Sequence, residues 1–189
     1  MIKATFINNL KTSYKNKNQE RGKIIRLSNP LLHDSKRIIF ALHRMETDKA
    51  GKELNRLEDD LKKLQKQLGA SRLEQEGSYK AAVEEYLEAK FFYNWQQEKP
   101  IEKIKGLNIS HDSYLGALSD LCGEIARYCV NQAAKRNTEA VEKGYQDVSQ
   151  ILSYLTEFDF TGYLRTKYDQ ARGHLRKIEQ INYDINIRS

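Results

Sequence analysis

The sequence has little proline, little cysteine and no long apolar run, and each shortage excludes a class of protein. No stretch approaches the roughly 20 apolar residues that cross a bilayer, and the opening "MIKATFINNLKTSYKNKNQ" lacks the apolar core of a signal peptide. Cys122 and Cys129 lie seven positions apart on one predicted helix, about 10 Å along its axis, which is too far for a disulfide. We therefore expect a soluble, cytoplasmic protein with two buried thiols.

The scarcity of helix breakers predicts the fold class. Only Pro30 and Pro100 interrupt the 189 residues, and no strand-like alternation persists beyond a few positions. The pattern predicts an all-α fold with a single domain over residues 1–189. We expect a first helix over about 3–27 and a second stretch from Asn29-Pro30 to about Thr47, with one kinked continuous helix as the alternative. Further helices are expected near 49–68, 72–97, 111–134, 136–156 and 161–182, and 98–110 is the main connector.

Positive charge is concentrated at the start of the chain. Residues 1–44 hold ten Lys or Arg against two acids, a net charge of +8, whereas the whole chain carries +6. On a helical wheel Arg26, His33, Arg37 and Arg44 share one face. Several cations on a rigid surface favour a polyanion such as nucleic acid, because binding releases counterions. An ordinary solvated basic face explains the same pattern equally well.

Two glutamates stand where a helix is expected to bury apolar side chains. In "VEEYLEAKFFYNW" the helical period puts Glu85 and Glu88 on the same stripe as Phe92 and Trp95. A buried carboxylate is costly unless it is protonated, paired with a cation or bound to a metal. Glu84 lies toward the edge of this stripe and is expected to be a solvated neighbour.

A second acidic pair, Asp120 and Glu124, lies one helical turn apart in "YLGALSDLCGEIARYCV". Gly116 and Gly123 flank it, and glycines inside a helix predict the close approach of another backbone. The helix that carries the first acidic pair is the candidate neighbour. If the two helices face each other, four carboxylates could form a site for a hard cation, Mg²⁺ or Mn²⁺. The alternative is that internal Lys or Arg side chains neutralise the acids.

Other metal sites lack their ligands in this sequence. A ferritin-like di-iron centre needs Glu-x-x-His, but the residues three positions after Glu85, Glu88 and Glu124 are Glu88, Phe91 and Arg127. The four histidines are scattered and form no zinc pattern. The sequence also contains no phosphate-binding glycine loop and no nucleophile motif.

Four stretches, in collinear order, resemble one known family. They are "RLSNPLLHDSKRIIFALHR" (26–44), "EEYLEA" (84–89), "SYLGALSDLCGEIARYCVN" (113–131) and "LRTKYDQARGHLRKIEQINYDINIRS" (164–189). The first and last resemble the long first and C-terminal helices of the translin superfamily. The two middle stretches resemble the acidic elements of its translin-associated factor X branch. Pro30 departs from the family pattern, because it interrupts a helix that is usually continuous.

The resemblance implies a seven-helix subunit and a hollow homo-octamer that encloses nucleic acid. It also implies a division of labour within the family. Factor X-type subunits are metal-dependent endoribonucleases that act on single-stranded RNA, whereas translin-type subunits bind RNA or DNA and lack the catalytic acids.

Carried over residue by residue, the resemblance makes Glu85, Glu88 and Asp120 catalytic and metal-binding carboxylates, with Glu124 as a further acid of the cluster. The implied cofactor is Mg²⁺ or Mn²⁺, and Glu84 has no part in the site. We expect a Mg²⁺-dependent endoribonuclease, and a non-catalytic translin-like protein that binds RNA or single-stranded DNA is the alternative. The basic residues expected to hold the RNA backbone are Arg21, Arg26, Lys36, Arg37 and Arg44.

Overall fold

The computed structural model describes residues 1–188 and, over that range, consists of seven α-helices with no β-strand, which confirms the all-α prediction. The helices are α1 (Ala4–His43), α2 (Thr47–Leu68), α3 (Ala70–Leu73), α4 (Gly77–Gln96), α5 (His111–Ala134), α6 (Thr138–Leu155) and α7 (Gly162–Arg188).

Helix α1 is continuous for 40 residues, with Pro30 inside it. The predicted helix end near residue 27 and the new start at Asn29-Pro30 are therefore wrong. A proline in a helix removes one backbone hydrogen bond, here the bond to the carbonyl of Arg26. Pro30 is exposed, so water can solvate that carbonyl, and the helix is held on both sides of it by the buried side chains of Ile24 and Leu31.

The N-terminal half of α1 extends beyond the packed part of the subunit. Ile24 is the first buried side chain of this helix, and Phe6, Leu10 and Tyr14 form an exposed stripe at four-residue spacing. The accessible surface of the chain is 11671 Å². A compact monomer of 22.0 kDa exposes about 9,300 Å², so the subunit is more extended than a globular protein of its mass.

Two other predicted boundaries differ from the structure. The helix expected over 72–97 is divided into the short α3 and the long α4, and α7 continues to Arg188 rather than ending near 182. The connector over 98–110 is non-helical, as predicted. Cys122 and Cys129 are buried free thiols, also as predicted. Within the described residues, no helix is long and apolar enough to cross a membrane.

Helix α4 lies at the centre of the subunit. It packs against α1, α2 and α5, while α5 in turn packs against α6 and α7. Tyr79, Tyr86, Phe91 and Phe92 of α4 are almost fully buried and point to different sides of the helix. Most polar side chains on α4 are therefore at least partly surrounded by protein, although Lys80 is exposed, and those that are shielded from water need a partner from a neighbouring helix.

Candidate active site

Four carboxylates from α4 and α5 lie close together. Glu88 of α4 interacts electrostatically with Glu85 on its own helix and with Asp120 and Glu124 of α5. We call these four residues the acidic cluster. Helices α1 and α7 flank it, because α1 packs on α4 and α7 packs on α5. The structure thus brings together all four acids that the sequence predicted as metal-binding and catalytic residues.

Glu88 has the most perturbed carboxyl group of the cluster. Burial raises its pKa to about 9, repulsion from Asp120, Glu85 and Glu124 adds to the effect, and the positive charge of Lys167 opposes it. The Glu88 side chain makes no hydrogen bond or ion pair with any residue in 1–188. At neutral pH this carboxyl group is therefore mostly protonated, and an added cation would favour its ionisation.

Two lysines reach the cluster from the flanking helices. Burial raises the pKa of Glu85, and this effect is only partly opposed by Lys36 of α1, whose Nζ lies 3.9 Å from a Glu85 carboxylate oxygen. Burial also raises the pKa of Asp120, although Lys167 of α7 donates a hydrogen bond to Asp120 Oδ2. The internal neutralisation that the sequence left open is thus present at Asp120 and weak at Glu85.

Glu84 is part of this region, and the prediction that it is only a solvated neighbour is wrong. Its side chain is 13% exposed and lies 2.9 Å from Nζ of Lys167, and it accepts a hydrogen bond from the Tyr163 hydroxyl. Gly116 makes room for it. A Cβ at Gly116 would lie 2.8 Å from the Glu84 carboxyl carbon. This glycine therefore accommodates an acidic side chain of α4 rather than the backbone that the sequence predicted.

Two histidines from other helices also reach α5. Nε2 of His43, at the end of α1, is hydrogen-bonded to Oε2 of Glu124, and the imidazole packs on Phe92 with ring centroids 4.8 Å apart. His174 of α7 lies beside Gly123, where a Cβ would be 3.1 Å from Nε2. Burial lowers the pKa of His174, with Lys177 adding to this effect and the nearby Asp120 and Glu124 opposing it.

The donor atoms suit a hard divalent cation, since carboxylate oxygens are the ligands that Mg²⁺ and Mn²⁺ prefer. Among residues 1–188, however, no three or more His, Cys, Asp and Glu side chains are already arranged around a common metal position. Two of the four acids are engaged elsewhere, Asp120 with Lys167 and Glu124 with His43. The donor set thus fits a metal, but its oxygens would converge only after these side chains shift.

The predicted RNA-binding residues are divided between surfaces rather than gathered on one. Lys36 faces the acidic cluster, whereas Arg37 and Arg44 line a groove of about 350 Å³ between α1 and α2. Most of them are paired with acids. The ion pairs are Arg21 with Glu76 at 3.5 Å, Arg37 with Asp34 at 2.9 Å and Arg44 with Glu46 at 2.6 Å, and Arg26 is exposed on α1.

Comparison with known proteins agrees with this architecture. Residues 19–189, about nine tenths of the chain, match the model of the translin family. The chain belongs to the translin family. It is 28% identical over 167 residues to an uncharacterized Methanocaldococcus jannaschii protein, covering 86% of this chain and 74% of that protein. It is 26% identical over 200 residues to the translin-associated protein X homolog of Schizosaccharomyces pombe, covering 93% of this chain and 87% of that protein.

Solved structures show the same fold. The translin-family chain superposes on apo-NeC3PO with a TM-score of 0.81 and 23% identity, covering 98% of each chain. It superposes on AfC3PO with a TM-score of 0.82 and 20% identity, covering 96% of this chain and 97% of that one. A structure of AfC3PO with duplex RNA gives a TM-score of 0.78 at 20% identity, covering 98% of this chain and 97% of that one.

Proposed function

We propose that this translin-family protein binds RNA and cleaves single-stranded RNA as a metal-dependent endoribonuclease. The observation that carries the proposal is Glu88, a partly buried acid that forms no direct ion pair within residues 1–188 and lies next to three other carboxylates. A protein gains nothing in stability from such a cluster, so its presence favours a role in binding or chemistry. Further support comes from two relatives, one a translin-associated protein X homolog and one solved with duplex RNA.

Glu85, Glu88, Asp120 and Glu124 would hold Mg²⁺ or Mn²⁺, which when bound would activate water and neutralise charge at a phosphodiester. Glu88 must lose its proton before it can act as a ligand. His43 fixes the orientation of Glu124 through their hydrogen bond. The 2′-hydroxyl has no required part in such hydrolysis, so the products should carry 5′-phosphate and 3′-hydroxyl ends.

RNA binding would use cations that face the cluster and the open surface of α1. Lys36 stands beside Glu85, and the exposed Arg26 lies about three turns earlier on the same helix, an axial separation of roughly 15 Å. In the free protein Arg21, Arg37 and Arg44 are held by acids, and these ion pairs would exchange for phosphate contacts on binding.

We also propose that the active form is an oligomer, with a hollow homo-octamer as the specific expectation. The exposed stripe of Phe6, Leu10 and Tyr14 supports assembly, since a helix arm with an apolar face is stabilised by packing against another subunit. The large accessible surface of the isolated subunit points the same way. Light scattering of the full chain would give the number of subunits.

A non-catalytic role in binding RNA or single-stranded DNA is the second candidate. The observation that favours it is Lys167, which already neutralises Asp120 and Glu84 without any metal. In this case the acids would serve assembly. The protein would then bind nucleic acid with a steep salt dependence and would leave it intact in Mg²⁺ or Mn²⁺.

The test compares cleavage of end-labelled single-stranded RNA by the wild type, Glu88→Gln and Glu139→Gln, each in Mn²⁺, Mg²⁺ or EDTA. Glu139 is an exposed acid on α6 outside the cluster, so its variant controls for loss of one negative charge. We expect cleavage by the wild type and Glu139→Gln with either metal, none in EDTA, and at least about a hundredfold loss in Glu88→Gln. RNA that stays intact with every protein, while gel shifts show binding, would favour the second candidate.

A further inference from the structure

The position next to Asp120 is already occupied by a positive charge. The ammonium group of Lys167 is hydrogen-bonded to Asp120, and the Lys167 side chain is only 19% exposed. Within residues 1–188, no other ammonium group lies within hydrogen-bond distance of the acidic cluster, the next being Lys36 at 3.9 Å from Glu85. A divalent cation that binds Asp120 must therefore compete with this lysine.

Lys167 also has a second carboxylate partner outside the cluster. Nζ lies 2.9 Å from Oε1 of Glu84, and Glu84 is fixed in place by the hydroxyl of Tyr163 and by the space above Gly116. The ring of Tyr163 adds a cation–π contact, with its centroid 5.4 Å from Nζ. Lys167 can thus leave Asp120 and remain paired, which greatly reduces the cost of its displacement.

We propose that Lys167 is a displaceable internal counter-ion of the acidic cluster, which neutralises Asp120 in the metal-free protein and withdraws to Glu84 when a divalent cation binds. Lys167 is in this view a positioning residue that sets metal affinity. Glu84 is the carboxylate that stays paired with Lys167 after the lysine has left Asp120. The inference rests on the proposed function, because it takes the acidic cluster to be the metal site.

A purely structural ion pair between α5 and α7 is the simpler explanation of the same contacts. It requires that loss of Lys167 destabilises the fold by the same amount with or without metal. A displaceable counter-ion differs, since removing the lysine exposes Asp120 to the metal and bound metal then replaces the lost neutralisation. Metal affinity and metal-dependent stability therefore separate the two explanations.

The first experiment measures Mn²⁺ binding to the metal-stripped full-length protein by titration calorimetry, for the wild type, Lys167→Met and Lys36→Met. Lys36→Met is the matched control, because it removes the same charge beside the same cluster. Lys36 is more exposed, with 52% of its side chain accessible, and it makes no hydrogen bond to Glu85. We expect Lys167→Met to bind Mn²⁺ about tenfold more tightly than the wild type, and Lys36→Met at most about threefold more tightly.

The second experiment is a double-mutant cycle with Glu84→Gln. If Glu84 acts by holding the withdrawn Lys167, Glu84→Gln weakens Mn²⁺ binding several-fold when Lys167 is present. The same change should have less than about a twofold effect in the Lys167→Met background, because the lysine is no longer there to hold. An equal loss in both backgrounds would mean that Glu84 acts directly on the metal, and it would overturn the inference.

Thermal unfolding of the same proteins in EDTA and in saturating Mn²⁺ completes the test. Lys167→Met, or Lys167→Gln if the methionine variant folds poorly, should unfold at a lower temperature in EDTA and recover most of the loss in Mn²⁺. An equal loss in both conditions, or Mn²⁺ binding by Lys167→Met no tighter than by Lys36→Met, would refute the counter-ion role alone. Absence of Mn²⁺ binding in the wild type and every variant would refute the proposed metal site as well.

Discussion

Glu88→Gln should make the metal-free protein more stable at pH 8, although it removes a central acid of the candidate site. Glutamine has nearly the shape of a protonated glutamate and carries no charge. The folded state raises the pKa of Glu88 from its ordinary value of 4.5 to about 9, chiefly through burial. Between these values the folded protein holds a proton that the unfolded chain has released, so its stability falls as the pH rises.

The size of the expected stabilisation follows from the pH range between the two pKa values of Glu88. From pH 4.5 to pH 8 the free energy of unfolding declines by about 1.4 kcal/mol for each pH unit, which sums to about 5 kcal/mol at most. Water near the partly exposed side chain lowers this figure, so we expect Glu88→Gln to gain about 2 to 5 kcal/mol at pH 8. At pH 5 the gain should shrink below about 1 kcal/mol, because pH 5 lies only about half a unit above the ordinary pKa of 4.5 and little of this pH range has been crossed.

The assay is urea unfolding in EDTA at pH 5 and pH 8, followed by circular dichroism at one protein concentration. Glu84→Gln is the matched control on the same helix. This variant breaks the ion pair between Glu84 and Lys167, and both of these side chains are largely buried. It should therefore lower the free energy of unfolding by about 1 to 3 kcal/mol at pH 8. A Glu88→Gln variant no more stable than the wild type at pH 8, or a difference unchanged at pH 5, would refute the reasoning.

Three further changes test other parts of the structure. Pro30→Ala should raise the free energy of unfolding by about 1 to 2 kcal/mol in urea, because α1 is continuous there and gains a backbone hydrogen bond; a loss of stability would contradict this. Gly116→Ala should cost about 1 to 3 kcal/mol by displacing Glu84, whereas Gly77→Ala, in an open position at the start of α4, should be neutral or slightly stabilising. Mn²⁺ affinity should rise about three- to tenfold from pH 7 to pH 8, because Glu88 must lose its proton to bind the metal. Calorimetry in buffers of different ionisation enthalpy should show the released proton. An affinity that does not change with pH would exclude Glu88 as a ligand.

The sequence predicts best what depends on neighbouring residues along the chain. Helix α5 has the boundaries expected for it, because Ser110 caps its first turn by accepting a hydrogen bond from the amide of Ser113. The helical period likewise put Glu85 and Glu88 on a buried stripe, and both carboxyl groups have pKa values raised by burial. Pro30 shows the limit of such local rules, since packing on both sides of it maintains the helix.

The partners of the acidic cluster could not be predicted in the same way. Lys167, His43 and His174 lie on α7 and α1, far along the chain from the acids, and their spacing in the sequence carries no signal. The prediction that Glu84 is only a solvated neighbour fails for a related reason. Its angle on the wheel is at the edge of the stripe, but the missing side chain of Gly116 leaves space for its carboxylate against α5. Only the packing of helices shows where such space lies.

Two carboxyl groups of the acidic cluster are neutralised by different positive charges in the metal-free protein. Glu88 is neutralised by a proton, and Asp120 by the ammonium group of Lys167. A divalent cation that binds both carboxylates can replace these two positive charges without changing the net charge of the cluster, if Lys167 withdraws to Glu84. The metal-free state would thus avoid an exposed excess of negative charge that repels RNA, while the site stays ready to take up metal. Because one of the two displaced charges is a proton, metal occupancy should depend on pH even where RNA binding does not.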